Sequence, residues 1–137
     1  KNIIVPVKVI ALNDGVLTNL IDEYNLGKID NVKDNMIISD GYNGTPSGFE
    51  NICEDSENVT FPYVLHAEAN AITKVACSNN SSEGSTLYVT TSPCMECSKL
   101  IIQSGIKRVV FSELYRIHDG LELLEKAGIE CVHLEIK

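Results

Sequence analysis

The chain predicts an α/β fold in which helices cover a largely parallel sheet, and two observations carry that expectation. Strand-like and helix-like segments alternate one for one through the second half of the sequence, an order that right-handed crossovers turn into neighbouring parallel strands. Hydrophobic residues make up 44% of the 137 residues, enough apolar side chain for the core of one ordinary domain spanning 1–137.

From the N-terminus, Ile3, Val5, Val7 and Val9 alternate as in a strand. Val16, Leu17, Leu20, Ile21 and Tyr24 then recur at helical spacing behind a candidate Asp14 cap, and Gly27 would end that helix. Asn35 to Gly41 reads as a strand preceded by turn residues, which calls for an antiparallel partner upstream. Gly27 to Asn31, where such a partner should run, is too polar for a buried strand.

The second half is more regular. Leu65 to Cys77 is an Ala-rich helix, Ser78 to Ser85 a polar surface loop, and Thr86 to Thr91 a strand. Cys94 to Ser104 is a helix stopped by Gly105, and Arg108 to Ser112 a strand. Gly120 to Ala127 is a helix stopped by Gly128, and Ile129 to Ile136 a last strand.

Composition narrows the function. Eleven Lys and Arg against 19 Asp and Glu leave a net charge of −8, which repels a polyphosphate backbone and argues against a nucleic acid polymer as partner. A single small anion stays compatible, because a few local N–H groups hold one in an acidic protein. No stretch reaches the roughly 18 apolar residues of a membrane span, and the first twelve residues lack a secretory cleavage site, so the expected location is cytoplasmic. Five irregularly spaced cysteines, an odd number, make a disulfide framework the least favoured use of those thiols.

Two clusters carry chemistry. In Pro93-Cys94-Met95-Glu96-Cys97 a strand ending at Thr91 feeds a helix whose first turn holds both thiols, with Ser92 a candidate cap and Pro93 at the first helical position. The sulfurs then share one face of one turn, where the positive end of the helix dipole lowers thiol pKa values. That layout suits a metal pair and a redox dithiol equally. In His66-Ala67-Glu68-Ala69-Asn70 an imidazole and a carboxylate stand two residues apart. In mid-helix they would point roughly 200° apart, but at a helix entrance both are free to reach past the end.

One His and two Cys make three ligands with a fourth position open, the pattern of a catalytic zinc ion, with Glu68 beside it as acid/base and not as ligand. Each residue also has a plainer use. His66 could be an ordinary hydrogen-bonded helix residue, Glu68 a partner of the helix dipole, and the thiols half of a closed structural site completed by Cys53, Cys131, His118 or His133. Taken together, H-x-E followed 26 residues after Glu68 by P-C-x-x-C matches a recorded signature of zinc-dependent nucleobase deaminases.

Longer stretches extend the match. Gly41 to Asn51 ("GYNGTPSGFEN"), Pro62 to Ile72 ("PYVLHAEANAI"), Thr86 to Ser112 and the region of Tyr115 resemble deoxycytidylate (dCMP) deaminases, from about Asn35 to the C-terminus. The resemblance implies a three-layer α/β/α cytidine-deaminase-like fold with a mixed, largely parallel central sheet. It implies zinc held by His66, Cys94 and Cys97, Glu68 as the catalytic acid/base, and hydrolysis of dCMP to dUMP and ammonia, supplying dUMP for thymidylate synthesis. Asn43, Gly44, Ala67, Pro93 and Tyr115 are the substrate contacts it implies, with Asn43 near the sugar and Tyr115 against base or ribose.

The same resemblance implies a homo-oligomer, commonly a hexamer, with dCTP as activator and dTTP as inhibitor, together with magnesium. Residues 1–34 depart from the family pattern, and Cys77 stands where an Arg is common. Three rivals remain at this level. One is another zinc deaminase, of nucleoside, guanine or tRNA adenosine. Another is a dithiol oxidoreductase cycling Cys94 and Cys97. The last is a non-catalytic domain whose zinc has a fourth protein ligand.

Overall fold

The computed structural model describes residues 9–12 and 37–134. Five strands, β1 (Val9–Leu12), β2 (Ile37–Gly41), β3 (Thr86–Thr91), β4 (Arg108–Glu113) and β5 (Glu130–His133), form one sheet in the order β2-β1-β3-β4-β5. Helices α1 (Ala67–Ala76), α2 (Met95–Gln103) and α3 (Asp119–Lys126) fill the successive connections from β2 to β5. The sheet is mixed: β3, β4 and β5 run parallel, whereas β1 is antiparallel to both its neighbours, β2 and β3.

The antiparallel partner of β2 is therefore Val9–Leu12, farther upstream than 27–31, where the sequence led us to expect it. The reason is position in the sheet. β1 is flanked on both edges, and such an interior strand calls for an apolar run, which Val-Ile-Ala-Leu supplies and Gly-Lys-Ile-Asp-Asn does not. The helix expected over 16–24, the segment 27–31 and, apart from Val9, the alternation over 3–9 lie outside the described residues.

The central strands are buried on both faces. Leu87 and Val89 of β3 pair with Val109 and Phe111 of β4, and these four side chains point with the helices into one core, against Ala67, Ala71, Ile101 and Leu124. Tyr88 and Val110, one residue out of phase, are buried on the opposite face. This double burial is why β3 and β4 read as nearly unbroken apolar runs rather than as alternating ones.

The three helices of the described residues lie on one face. α1 packs on β1 and β2, α2 touches both other helices, and α3 packs on β5. Three crossovers stepping the same way across a sheet with the same hand require this arrangement. Each helix therefore starts beyond the carboxyl end of a parallel strand, so the starts gather at one end of the sheet.

α3 ends as its sequence predicts. Gly128 adopts φ +85°, its N–H donates to Glu125 O (3.0 Å), and the next N–H, of Ile129, reaches back to Leu124 O (3.0 Å). Leu124 and Ile129 meet in the core at that turn. Among the described residues, no helix is long and apolar enough to cross a membrane.

Leu124 has no exposed surface and packs in the common core, so Leu124→Ala should cost about 2–5 kcal/mol of stability, read as a lowered urea midpoint with an unchanged slope.

Candidate functional site

His66 and Cys94 are not helical residues. Each is the cap of its helix, with an extended backbone (φ −67°, ψ 154° at His66; φ −76°, ψ 175° at Cys94). Their carbonyl oxygens accept the first intrahelical bonds, from Asn70 N–H and Ser98 N–H, each at 2.9 Å. Neither side chain caps its own helix, which leaves the imidazole and the thiol free to turn outward. Cys97 follows one turn after Cys94, so two helix starts deliver three ligand atoms to one point.

At that point His66 Nδ1 lies 3.3 Å from Cys97 Sγ and 3.5 Å from Cys94 Sγ, and all three atoms fall within 4.8 Å of one another. Zinc–sulfur and zinc–nitrogen bonds at tetrahedral angles would separate N from S by about 3.6 Å, so the donor set fits that ion. Among the described residues no further Cys, His, Asp or Glu joins this group. Cys53, Cys131, His118 and His133 therefore do not close it, and all five cysteines are free thiols.

Burial sets the electrostatics of the site. Cys97 is 2% exposed, and its pKa is pushed strongly up by burial, then by the charges of Glu68 and Cys94; only hydrogen bonding to the Ala69 backbone pulls the other way. This corrects the expectation that the helix dipole would lower it: the cost of desolvating a thiolate outweighs the field of one helix end. A bound divalent cation would make the Cys97 thiolate favourable, and a redox dithiol would leave the approach of His66 Nδ1 to both sulfurs without a use.

Glu68, in the first turn of α1, is 7% exposed. Burial raises its pKa, opposed by a hydrogen bond from its own backbone and by the charge of His66. A carboxyl shifted toward neutrality in this way is suited to taking up and returning a proton.

Glu68, His66 and Cys94 share a cavity of about 270 Å³ with Asn43, Thr91, Ser92 and Tyr115. Asn43 comes from the loop after β2. Its Oδ1 accepts the Ala67 N–H (2.8 Å) and thereby caps α1 from outside, so its amide NH₂ is the part available to a ligand. Of the five substrate contacts expected from sequence, Asn43 and Tyr115 line the cavity. Gly44, Ala67 and Pro93 are buried and do not: Gly44 pairs with Leu65 in an antiparallel bridge, and the Ala67 N–H is held by Asn43.

Sequence reasoning missed Thr91 and Ser92 as wall residues. The tendency of ligands to bind beyond the carboxyl ends of parallel strands could have pointed to both. Nor is Ser92 the cap of α2 or Pro93 its first helical residue. The helix starts later, at Met95, because Cys94 takes the cap and the Ser92 hydroxyl is engaged elsewhere, accepting the Tyr115 N–H at 2.7 Å.

Two glycines seat the ligand-bearing helices. A Cβ on Gly41 would stand 2.6 Å from Ala67 O and 2.8 Å from Ala71 N, so the end of β2 lies directly on the backbone of α1. A Cβ on Gly120 would run into the Pro93 carbonyl oxygen and come within 2.8 Å of the Cys94 carbonyl carbon. The start of α3 thus presses on the peptide that carries a candidate zinc ligand.

Comparison with known proteins agrees with this geometry. Residues 29–113 match the family model of the cytidine and deoxycytidylate deaminase zinc-binding region. The chain is 35% identical to the deoxycytidylate deaminase of Enterobacteria phage T4, over 77% of this chain and 77% of that one. It is 42% identical to the mouse deoxycytidylate deaminase over 65% of this chain, but spans only about half (52%) of that protein's length. The dCMP deaminase of cyanophage S-TIM5, solved in complex with dCMP and dUMP, superposes with a TM-score of 0.73 at 41% identity, covering 93% of this chain and 79% of that one.

Two variants test the site. Cys97→Ala should abolish tight zinc binding, measured by competition with a chromogenic chelator. Gly120→Ala should weaken zinc roughly 10–100-fold by displacing Cys94, whereas Leu124→Ala, which loosens the same helix without touching that peptide, should leave zinc affinity unchanged.

Proposed function

The chain belongs to the cytidine and deoxycytidylate deaminase family, and on that premise we propose that it removes the 4-amino group of dCMP by hydrolysis, giving dUMP and ammonia. The observation that carries the reading is the meeting of His66 Nδ1 with two cysteine sulfurs beside a buried Glu68, in a cavity sized for one small molecule. The S-TIM5 enzyme's complex with dCMP and dUMP supports the choice of substrate.

The protein's own residues divide the work. His66, Cys94 and Cys97 would hold zinc, whose Lewis acidity makes water a nucleophile at neutral pH. Glu68, held at the helix start with a raised pKa, takes the proton that water gives up. It gives that proton to N3 of the pyrimidine, then takes the second proton from the hydroxyl now bonded to C4 and passes it to the departing amine, so one carboxyl serves in turn as base and as acid. Asn43 offers its amide NH₂ to the sugar, and Tyr115 forms part of the wall. The low exposure of Glu68 keeps bulk water from competing for its proton.

Regulation by dCTP and dTTP with magnesium, and a hexameric assembly, are part of the same proposal and rest on family resemblance. A cytoplasmic location fits five free thiols. The rival zinc deaminases would be separated by offering dCMP, cytidine, deoxycytidine, guanine and adenosine to zinc-loaded protein and following ammonia release, with turnover of dCMP alone expected. Glu68→Gln should keep its zinc and its fold and lose about 10² to 10⁴ in kcat; wild-type turnover by that variant would end the assignment.

A further inference from the structure

Ser92 is 4% exposed, lines the cavity, and stands between the carboxyl ends of β3 and β4. Its hydroxyl oxygen accepts the Tyr115 N–H at 2.7 Å, and its own N–H donates to Glu113 O at 2.9 Å. Just before, within the two strands, Ser112 Oγ donates to Thr90 O at 2.9 Å. Together these bonds sew the segment that leaves β4 to the segment that leaves β3.

Beyond the sewn point the chain is exposed. Leu114, Arg116 and Ile117 face solvent, and among the described residues no hydrogen bond other than that to Ser92 ties 114–117 to the body of the protein. Among the described residues, the other polar contact at Tyr115 is the Arg116 guanidinium 5.8 Å from its ring, which belongs to the same loop and cannot anchor it. The hydrogen bond that fixes the Tyr115 backbone beside the cavity therefore comes from one buried hydroxyl that is not itself among the reacting groups.

We propose that Ser92 is a positioning residue for the ligand: it holds Tyr115 against the cavity and so governs how tightly the nucleotide is bound, not how fast Glu68 moves its proton. The inference rests on the nucleotide reading above. The division follows from where the bonds lie. Ser92 bonds to the backbone of 113 and 115 and makes none to His66, Glu68, Cys94 or Cys97, so its loss acts on the wall and spares the metal ligands.

The test uses zinc-loaded full chain and the variants Ser92→Ala, Ser92→Thr, Tyr115→Ala and the double Ser92→Ala/Tyr115→Ala. Ser92→Ala should raise KM for dCMP by roughly tenfold, the weight of one buried hydrogen bond, with a smaller change in kcat and unaltered zinc content. It should also speed amide hydrogen exchange at Tyr115, and Ser92→Thr, which keeps the hydroxyl, should restore both values. The double variant should bind no worse than Tyr115→Ala alone, because the two residues act as one unit. A Ser92→Ala protein with wild-type KM and a protected Tyr115 amide would overturn the proposal. So would one that loses zinc or kcat as strongly as KM, since Ser92 would then be acting through Cys94. If wild-type protein fails to turn over dCMP, the functional reading falls, while the exchange measurement still decides whether Ser92 holds Tyr115.

Discussion

Two sulfurs and an imidazole converge within 4.8 Å of one another, a donor set and spacing that fit one zinc ion. Most of the local architecture follows from that constraint. His66 and Cys94 stand just before their helices and Cys97 in the first turn of α2, where side chains can reach past the helix end. The helix starts have to converge, and parallel strands joined by same-handed crossovers bring them to one end of the sheet. The same constraint explains why neither His66 nor Cys94 caps its helix with its side chain: those atoms are reserved, and α1 borrows its cap from Asn43 instead.

Close approach of backbones holds the convergence in register. At Gly41 and Gly120 the chain passes so near a neighbouring peptide that a methyl group would overlap it. Both contacts fall on the two segments that bear ligands, α1 at one and Pro93–Cys94 at the other. Interiors packed at crystal density transmit such contacts instead of absorbing them, so the spacing of the three candidate ligands is sensitive to residues outside the group. Ser92 extends the same logic to the cavity wall, where one hydroxyl stands between an exposed loop and the position of Tyr115.

Convergence with an imidazole separates the two uses of a C-x-x-C pair. A redox couple needs only its two thiols, one exposed and the other free to be buried, whereas a metal site needs a further ligand aimed at the same point. His66 Nδ1, 3.3 Å from Cys97 Sγ and 3.5 Å from Cys94 Sγ, supplies one. The other cysteines show what thiols do without such a role: Cys77 is exposed past the end of α1, and Cys131 packs on the core with its pKa pushed up to about 11 by burial and by Glu125 and Glu130.

By itself the sequence determined the second-half elements, nearly to the residue, and singled out the three residues, His66, Cys94 and Cys97, whose donor atoms the fold brings together. Apolar runs, glycine stops and ligand spacing are local patterns, and their physics acts over a few residues. What only tertiary structure decided lies in pairings between distant segments. Among these are Val9–Leu12 as the partner of β2, Ser92 serving Tyr115 rather than α2, and the exclusion of Gly44, Ala67 and Pro93 from the cavity wall. Each depends on which backbone group finds which partner across the fold, and a hydrogen-bonding side chain such as a serine hydroxyl suits a helix cap or a loop anchor equally well until the chain brings one of them within 3 Å.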